Sequence, residues 1–227
     1  EANEILNKSL EKNGNMADIY YKKAQIFYET GKYTAALGNV EYAIEKYYDK
    51  KRDALEPVNL YECYYLKGVI LRKLKKFDEA LEQLDESLKI EKNTYISQIN
   101  LQKGAIYVEK NEGWKCIAFF NEAIKHDPQC FDAYLKKGEY LLSQNKYKDA
   151  LLSFENAEKV NSKSGKCYFL KGKTLFNLRR KNDAMYSFEK AIKYSDIKNI
   201  AILINFTEQL IISNNFVIDL NPCVQLI

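Results

Sequence analysis

The sequence is poor in residues that interrupt helices, with 9 glycines and 3 prolines in 227 residues. An all-β fold needs more turn chemistry than this, so helices are favoured. Long apolar runs are missing as well. No stretch approaches the ~18 consecutive apolar residues of a membrane-spanning helix, and no signal-peptide pattern is visible. Histidine occurs once, at His126. Acid–base catalysis would need a cleft and a partner nucleophile around it. At the end of a helix pattern it reads instead as a cation near a helix C-terminus. The phosphate-binding GxxxxGK[ST] and GxGxxG patterns and the zinc-binding HExxH pattern are all absent. The expectation is a protein with no catalytic residues of its own, no metal and no cofactor.

Cysteine is present but unpatterned. Cys63, Cys116, Cys130, Cys167 and Cys223 are odd in number and widely spaced, with no CxxC pair. That argues against a disulfide framework or a zinc site. Packed free thiols point to a reducing compartment, so the expected location is intracellular and cytoplasmic, with nucleus or cilium left open. The formal net charge of +4 is mild and demands neither nucleic acid nor an anionic membrane.

What the chain has is a repeat. The 34 residues from Phe131 to Ser164 contain two short helical patterns around the polar turn Ser143–Lys146, and this ruler matches elsewhere. Small residues recur at the eighth position (Ala24, Gly68, Gly104, Gly138, Gly172). They recur again at the twentieth (Ala36, Ala80, Cys116, Ala150, Ala184) and the twenty-seventh (Ala43, Ser87, Ala123, Ala157, Ala191). Large residues fill the fourth (Tyr20, Tyr64, Asn100, Tyr134, Tyr168) and the twenty-fourth (Val40, Leu84, Phe120, Phe154, Phe188), although the polar Asn100 breaks the former column. Helices pack at ~8–10 Å between axes, and closer approach needs small side chains at the crossing. Small residues at the eighth and twentieth positions are therefore expected to let two helices of a hairpin touch. The twenty-seventh is expected to meet the next hairpin. Glycine inside a helix costs up to ~1 kcal/mol relative to alanine, so four in one register need a packing reason.

These columns resemble the tetratricopeptide repeat (TPR) family. The resemblance implies an all-α, right-handed superhelix of stacked helical hairpins. It places full repeats at 17–50, 61–94, 97–130, 131–164 and 165–198 of a single array spanning 1–227. Residues 1–16 fit the second half of a further repeat, and with no initiator methionine the expectation is a fragment of a longer array. The ten residues 51–60 are an insertion. Residues 197–213 read as an apolar capping helix and 214–227 as an extended tail.

The resemblance also implies a concave groove lined by the first helix of each repeat. Its positions give Asp18, Tyr21, Lys22, Gln25 and Tyr28 in the first repeat, and Glu62, Tyr65, Leu66, Val69, Arg72 and Lys73 in the second. The third gives Gln98, Leu101, Gln102, Ala105 and Val108; the fourth Asp132, Leu135, Lys136, Glu139 and Leu142; the fifth Lys166, Phe169, Leu170, Lys173 and Phe176. The strongest binding candidates among them are Tyr21, Lys22, Gln25, Tyr65, Leu66, Val69, Gln98, Gln102, Lys136, Glu139, Phe169 and Lys173. Mixed apolar and charged side chains suit an amphipathic helix or an extended peptide. The lysine–asparagine clamp by which one class of the family grips a C-terminal carboxylate is not supplied by Tyr21 and Gln25, Tyr65 and Val69, or Leu101 and Ala105.

The expected function is a protein–protein interaction scaffold within a larger intracellular complex. One alternative is a regulatory or targeting module of an enzyme lying outside this sequence. An RNA-binding repeat is a weaker one, because Asp18, Glu62, Asp132 and Glu139 stand in the groove register. Basic residues gather late, from Lys163 to Lys181, and read as solvated surface or a face for an acidic protein. The apolar end is a candidate for self-association.

Overall fold

A computed structural model describes residues 16–49, 59–91 and 93–195. Among these the secondary structure is helical throughout, in ten helices. They are α1 (Met16–Glu29), α2 (Tyr33–Asp49), α3 (Leu60–Lys73), α4 (Phe77–Leu88), α5 (Ile96–Glu109) and α6 (Gly113–His126). Then follow α7 (Phe131–Ser143), α8 (Tyr147–Val160), α9 (Gly165–Asn177) and α10 (Lys181–Lys193). The half repeat at the N-terminus, most of the insertion, the capping helix and the tail lie outside the described residues. The chain divides between His126 and Asp127 into two compact units. The first holds the hairpins α1–α2, α3–α4 and α5–α6; the second holds α7–α8 and α9–α10.

Each hairpin turns in the same way. The second residue after the first helix is left-handed: Gly31 (φ 74°), Lys75 (61°), Asn111 (61°), Asn145 (57°) and Arg179 (61°). The next N–H reaches back five residues to a carbonyl of the helix it leaves. Lys32 donates to Phe27 at 2.8 Å, Lys76 to Leu71 at 2.9 Å and Lys146 to Leu141 at 2.9 Å. This six-to-one bond is the Schellman stop, which satisfies helix-end carbonyls and needs a left-handed residue. Gly or Asn adopts that conformation at least cost, whereas Lys75 and Arg179 adopt it against their preference.

The glycine column explains how closely the two helices approach. A Cβ built on Gly104 would lie 2.5 Å from the Phe120 ring, and one on Gly138 2.5 Å from the Phe154 ring. On Gly172 it would lie 2.6 Å from Phe188, and on Gly68 2.8 Å from Leu84. The eighth position is thus a cradle for the large residue at the twenty-fourth. Val40, Leu84, Phe120 and Phe154 are fully buried there, each side chain stabilising the fold by roughly 1.5–3 kcal/mol.

The twenty-seventh position meets the start of its own hairpin, and in the first repeat Ala43 also shares one core with Cys63 and Leu66 of the next. Ser87 Oγ donates to the Tyr61 carbonyl at 2.7 Å, and Ser97 Oγ donates to the Ala123 carbonyl at 2.8 Å. A Cβ on Gly165 would lie 2.9 Å from the Ala191 carbonyl oxygen. Antiparallel helices bring the last turn of the second over the first turn of the first, which is why a small residue is needed at this crossing.

Candidate functional site

Within each unit the first helices of successive hairpins come side by side. In the first unit Arg72 of α3 reaches across to α5. Its Nη1 donates to Gln102 Oε1 at 2.6 Å, and its Nε and Nη2 lie 2.8 and 2.6 Å from Glu109 Oε1. In the second unit Lys166 Nζ of α9 lies 2.5 Å from Glu139 Oε1 of α7. Charge-assisted contacts of this kind fix geometry more than they stabilise, because both groups are partly hydrated.

The second helices add ties of their own. Lys103 Nζ on α5 pairs with Asp85 of α4 at 2.5 Å and sits 4.9 Å from the centre of the Phe119 ring. Lys110 pairs with Asp78 at 2.6 Å. In the second unit Glu158 accepts from the Tyr168 hydroxyl at 2.9 Å and from Lys171 Nζ at 2.6 Å. The neighbouring acids Asp78 and Glu79, and Asp85 and Glu86, all take cations: Lys110, Lys76, Lys103 and Lys89.

The groove candidates divide by burial. Tyr21 (8% exposed), Leu66 (8%) and Val69 (7%) are buried, and Tyr21 and Leu66 belong to the core under α1–α3. Neighbouring hairpins cover a large apolar residue on the first helix, so these three offer little surface. Lys22 and Gln98 are exposed, and Gln25, Tyr65, Gln102, Lys136, Glu139 and Lys173 are half-buried. Phe169 is half-buried too, 6.0 Å from the Phe188 ring and 5.8 Å from Lys173 Nζ. The structure brings Gln102 onto Arg72 and Lys166 onto Glu139. Glu109, which completes the arginine's partners, was not singled out from sequence. Its thirteenth-position register was the available signal.

Burial, and secondarily Glu62, pushes the Tyr21 hydroxyl well above its ordinary value. Burial also raises Tyr28, where Arg72 opposes the effect, and Tyr65, where Gln102 opposes it. These phenols stay protonated at neutral pH. Burial likewise pushes the Cys63 and Cys167 thiols up to about 12 and Cys116 to about 11, so they remain thiols and not nucleophiles. His126 closes α6, with Nε2 3.9 Å from Glu122. Among the described residues no group of three or more His, Cys, Asp or Glu could hold a metal ion. No helix among them is long and apolar enough to cross a membrane.

Residues 61–94 match a tetratricopeptide repeat model, and residues 118–162 and 135–198 match a second. The chain belongs to the tetratricopeptide repeat family. Among solved structures, this TPR chain is similar to MamA protein at 16% identity, covering 80% of this chain and 92% of that one with a TM-score of 0.60. It is similar to MamA 41-end from Desulfovibrio magneticus RS-1 at 17% identity, with 80% and 96% covered and a TM-score of 0.61. It is also similar to YrrB, described as a TPR protein with an unusual peptide-binding site, at 16% identity, with 89% and 97% covered and a TM-score of 0.58. At such identities the likeness concerns the fold, an all-α TPR repeat as the columns implied. A search of curated proteins finds no match.

Proposed function

We propose that this TPR chain is a protein-interaction scaffold that presents its first-helix faces to peptide or helical segments of partner proteins inside a larger intracellular assembly. The observation that carries the proposal is the side-by-side placement of first helices in each unit, α3 with α5 through Arg72, Gln102 and Glu109, and α7 with α9 through Glu139 and Lys166. Half-buried Tyr65, Phe169 and Phe176 lie on the same helices. A partner segment would bury apolar area there while the polar groups select it. The described residues supply no activated nucleophile, and the proposal gives the chain no catalytic step.

The test is crosslinking of the full-length protein after affinity purification. Crosslinks from Lys22 and Lys73 to one partner segment, or from Lys136 and Lys173 to one, are the expected result. Crosslinks from the second-helix lysines Lys46, Lys89, Lys125 and Lys159 alone would move binding to the opposite face and overturn the proposal.

A further inference from the structure

The turns of α7–α8 and α9–α10 lie at the same end of their two hairpins, because helices alternate in direction and α8 packs on α9. Lys146 lies in one turn with Lys148 at the start of α8, and Arg179 and Arg180 lie in the other with Lys181 opening α10. Lys146, Lys148, Arg179 and Arg180 are exposed. Arg180 Nε donates to Asp183 Oδ2 at 2.8 Å. Among the described residues no ion pair joins Lys146, Lys148 or Arg179. The other acid at this edge is Asp149, whose charge acts on Lys137.

These cations stand against three local preferences. Lys146 and Arg180 are the N-caps of α8 and α10, with no side-chain bond to the free N–H groups. Positive side chains there oppose the positive end of the helix dipole, and Ser, Asp or Asn would cap instead. Arg179 holds a left-handed backbone (φ 61°), as Lys75 does in the first unit, at the position where the other turns have Gly31, Asn111 and Asn145. In the first unit Lys76 is answered by Glu79, Lys110 by Asp78 and Glu112, and Lys115 by Glu112, whereas among the described residues no ion pair joins the exposed Lys32 or Lys75. In the second unit Arg180 has Asp183, and no ion pair joins Lys146, Lys148 or Arg179 among the described residues. Departures from local preference without a compensating contact concentrate at functional sites.

We infer that residues 144–148 and 178–181 form a docking surface for an acidic segment of a partner protein, separate from the first-helix faces. Incoming carboxylates would meet two uncapped helix N-termini and the unpaired cations together, which reverses each unfavourable feature. Neighbouring helices lie ~8–10 Å apart, and an extended chain advances ~3.3 Å per residue. Aspartates or glutamates three residues apart therefore match the two turns. Nucleic acid fits less well: Tyr147, the one ring at this edge, is half-buried and donates its hydroxyl to Asn145 at 2.7 Å, so it is not set out as a stacking platform.

The test is fluorescence anisotropy of the whole chain with a labelled ten-residue peptide carrying Glu at every third position. Its Gln counterpart and a ten-nucleotide single-stranded DNA are the comparison probes. The Glu peptide should bind, weaken with salt and outcompete both comparison probes. The triple variant Lys146→Asn, Lys148→Asn, Arg179→Gly should lose about tenfold in affinity. An equal charge loss at Lys159→Gln, Lys163→Gln, Lys193→Gln should change affinity less than twofold. Arg179→Gly alone should weaken binding while leaving the thermal midpoint equal or higher, a split that a merely structural arginine would not give. No binding of the Glu peptide, equal losses in the two triple variants, or tighter binding of the DNA would each overturn the inference. None of these outcomes depends on the first-helix faces, so the two readings fail separately.

Discussion

In α5–α6 the ring of Phe120 lies where a side chain on Gly104 would begin, and in α7–α8 Phe154 takes the same place under Gly138. The turns of these two hairpins share a left-handed asparagine, Asn111 and Asn145. Their charges differ. Lys110-Asn111-Glu112 in the first meets Asp78 and Lys115, whereas Gln144-Asn145-Lys146 in the second leaves Lys146 without an ion partner among the described residues. Backbone geometry is carried by the glycine, the large apolar residue opposite it and the left-handed turn. Charge at the turn is free to vary around that geometry, so it is the place where two hairpins of one fold can differ in purpose.

The largest expected effect tests the shared half of this comparison. Gly104→Ala and Gly138→Ala should each destabilise the chain by about 2 kcal/mol, the usual range for an overpacked core. Gly38→Ala, with nothing within 4 Å of its added carbon, should stabilise by up to ~1 kcal/mol. Urea denaturation reads all three, and a much smaller loss for one hairpin would show that its aromatic ring can step aside.

A smaller effect concerns Glu158. Burial works against its charge, but hydrogen bonds from Lys171 and Tyr168 outweigh burial and hold the carboxyl below its ordinary value of 4.5. The folded chain then binds fewer protons than the unfolded one near that value. The resulting stability is present above 4.5 and lost as pH falls through the lower folded value. Glu158→Gln should cost about 1 kcal/mol at neutral pH and flatten the acid limb of the melting profile. Glu112, held low first by its bond from Lys115 at a part-exposed position, should give a weaker pH dependence when replaced by Gln.

The smallest effect inverts the charge difference itself. Lys146→Glu gives the second unit's turn the acid that Glu112 provides in the first, at the N-cap of α8. A gain of a few tenths of a kcal/mol in thermal stability is expected from the helix dipole, together with weaker binding of the acidic peptide. Loss of stability would show that Lys146 has a structural task.

The helical hairpins were legible because small residues at fixed spacing have one economical use, which is to let helices touch. The identity of what touches Gly104 or Gly138 was harder to read. Either the twentieth or the twenty-fourth position could fill that space, and only the crossing angle decides for Phe120 and Phe154. The first-helix candidates were legible in register but not in exposure. Tyr21, Leu66 and Val69 share that register with Gln25 and Gln102, yet the adjacent hairpin covers the apolar members. The left-handed turns at Lys75 and Arg179 left no trace, since neither residue type prefers positive φ. The link from Arg72 to Glu109 spans two hairpins, and local periodicity does not encode it.

Each glycine and the side chain it receives belong to one hairpin: Gly68 with Leu84, Gly104 with Phe120, Gly138 with Phe154 and Gly172 with Phe188. Lock and key therefore travel together on a segment of about thirty residues. A hairpin moved as a unit by gene duplication or by grafting keeps its internal fit, and only its outer faces must be renegotiated with new neighbours. A cut made between the two helices would separate the halves of every such pair and spoil both products.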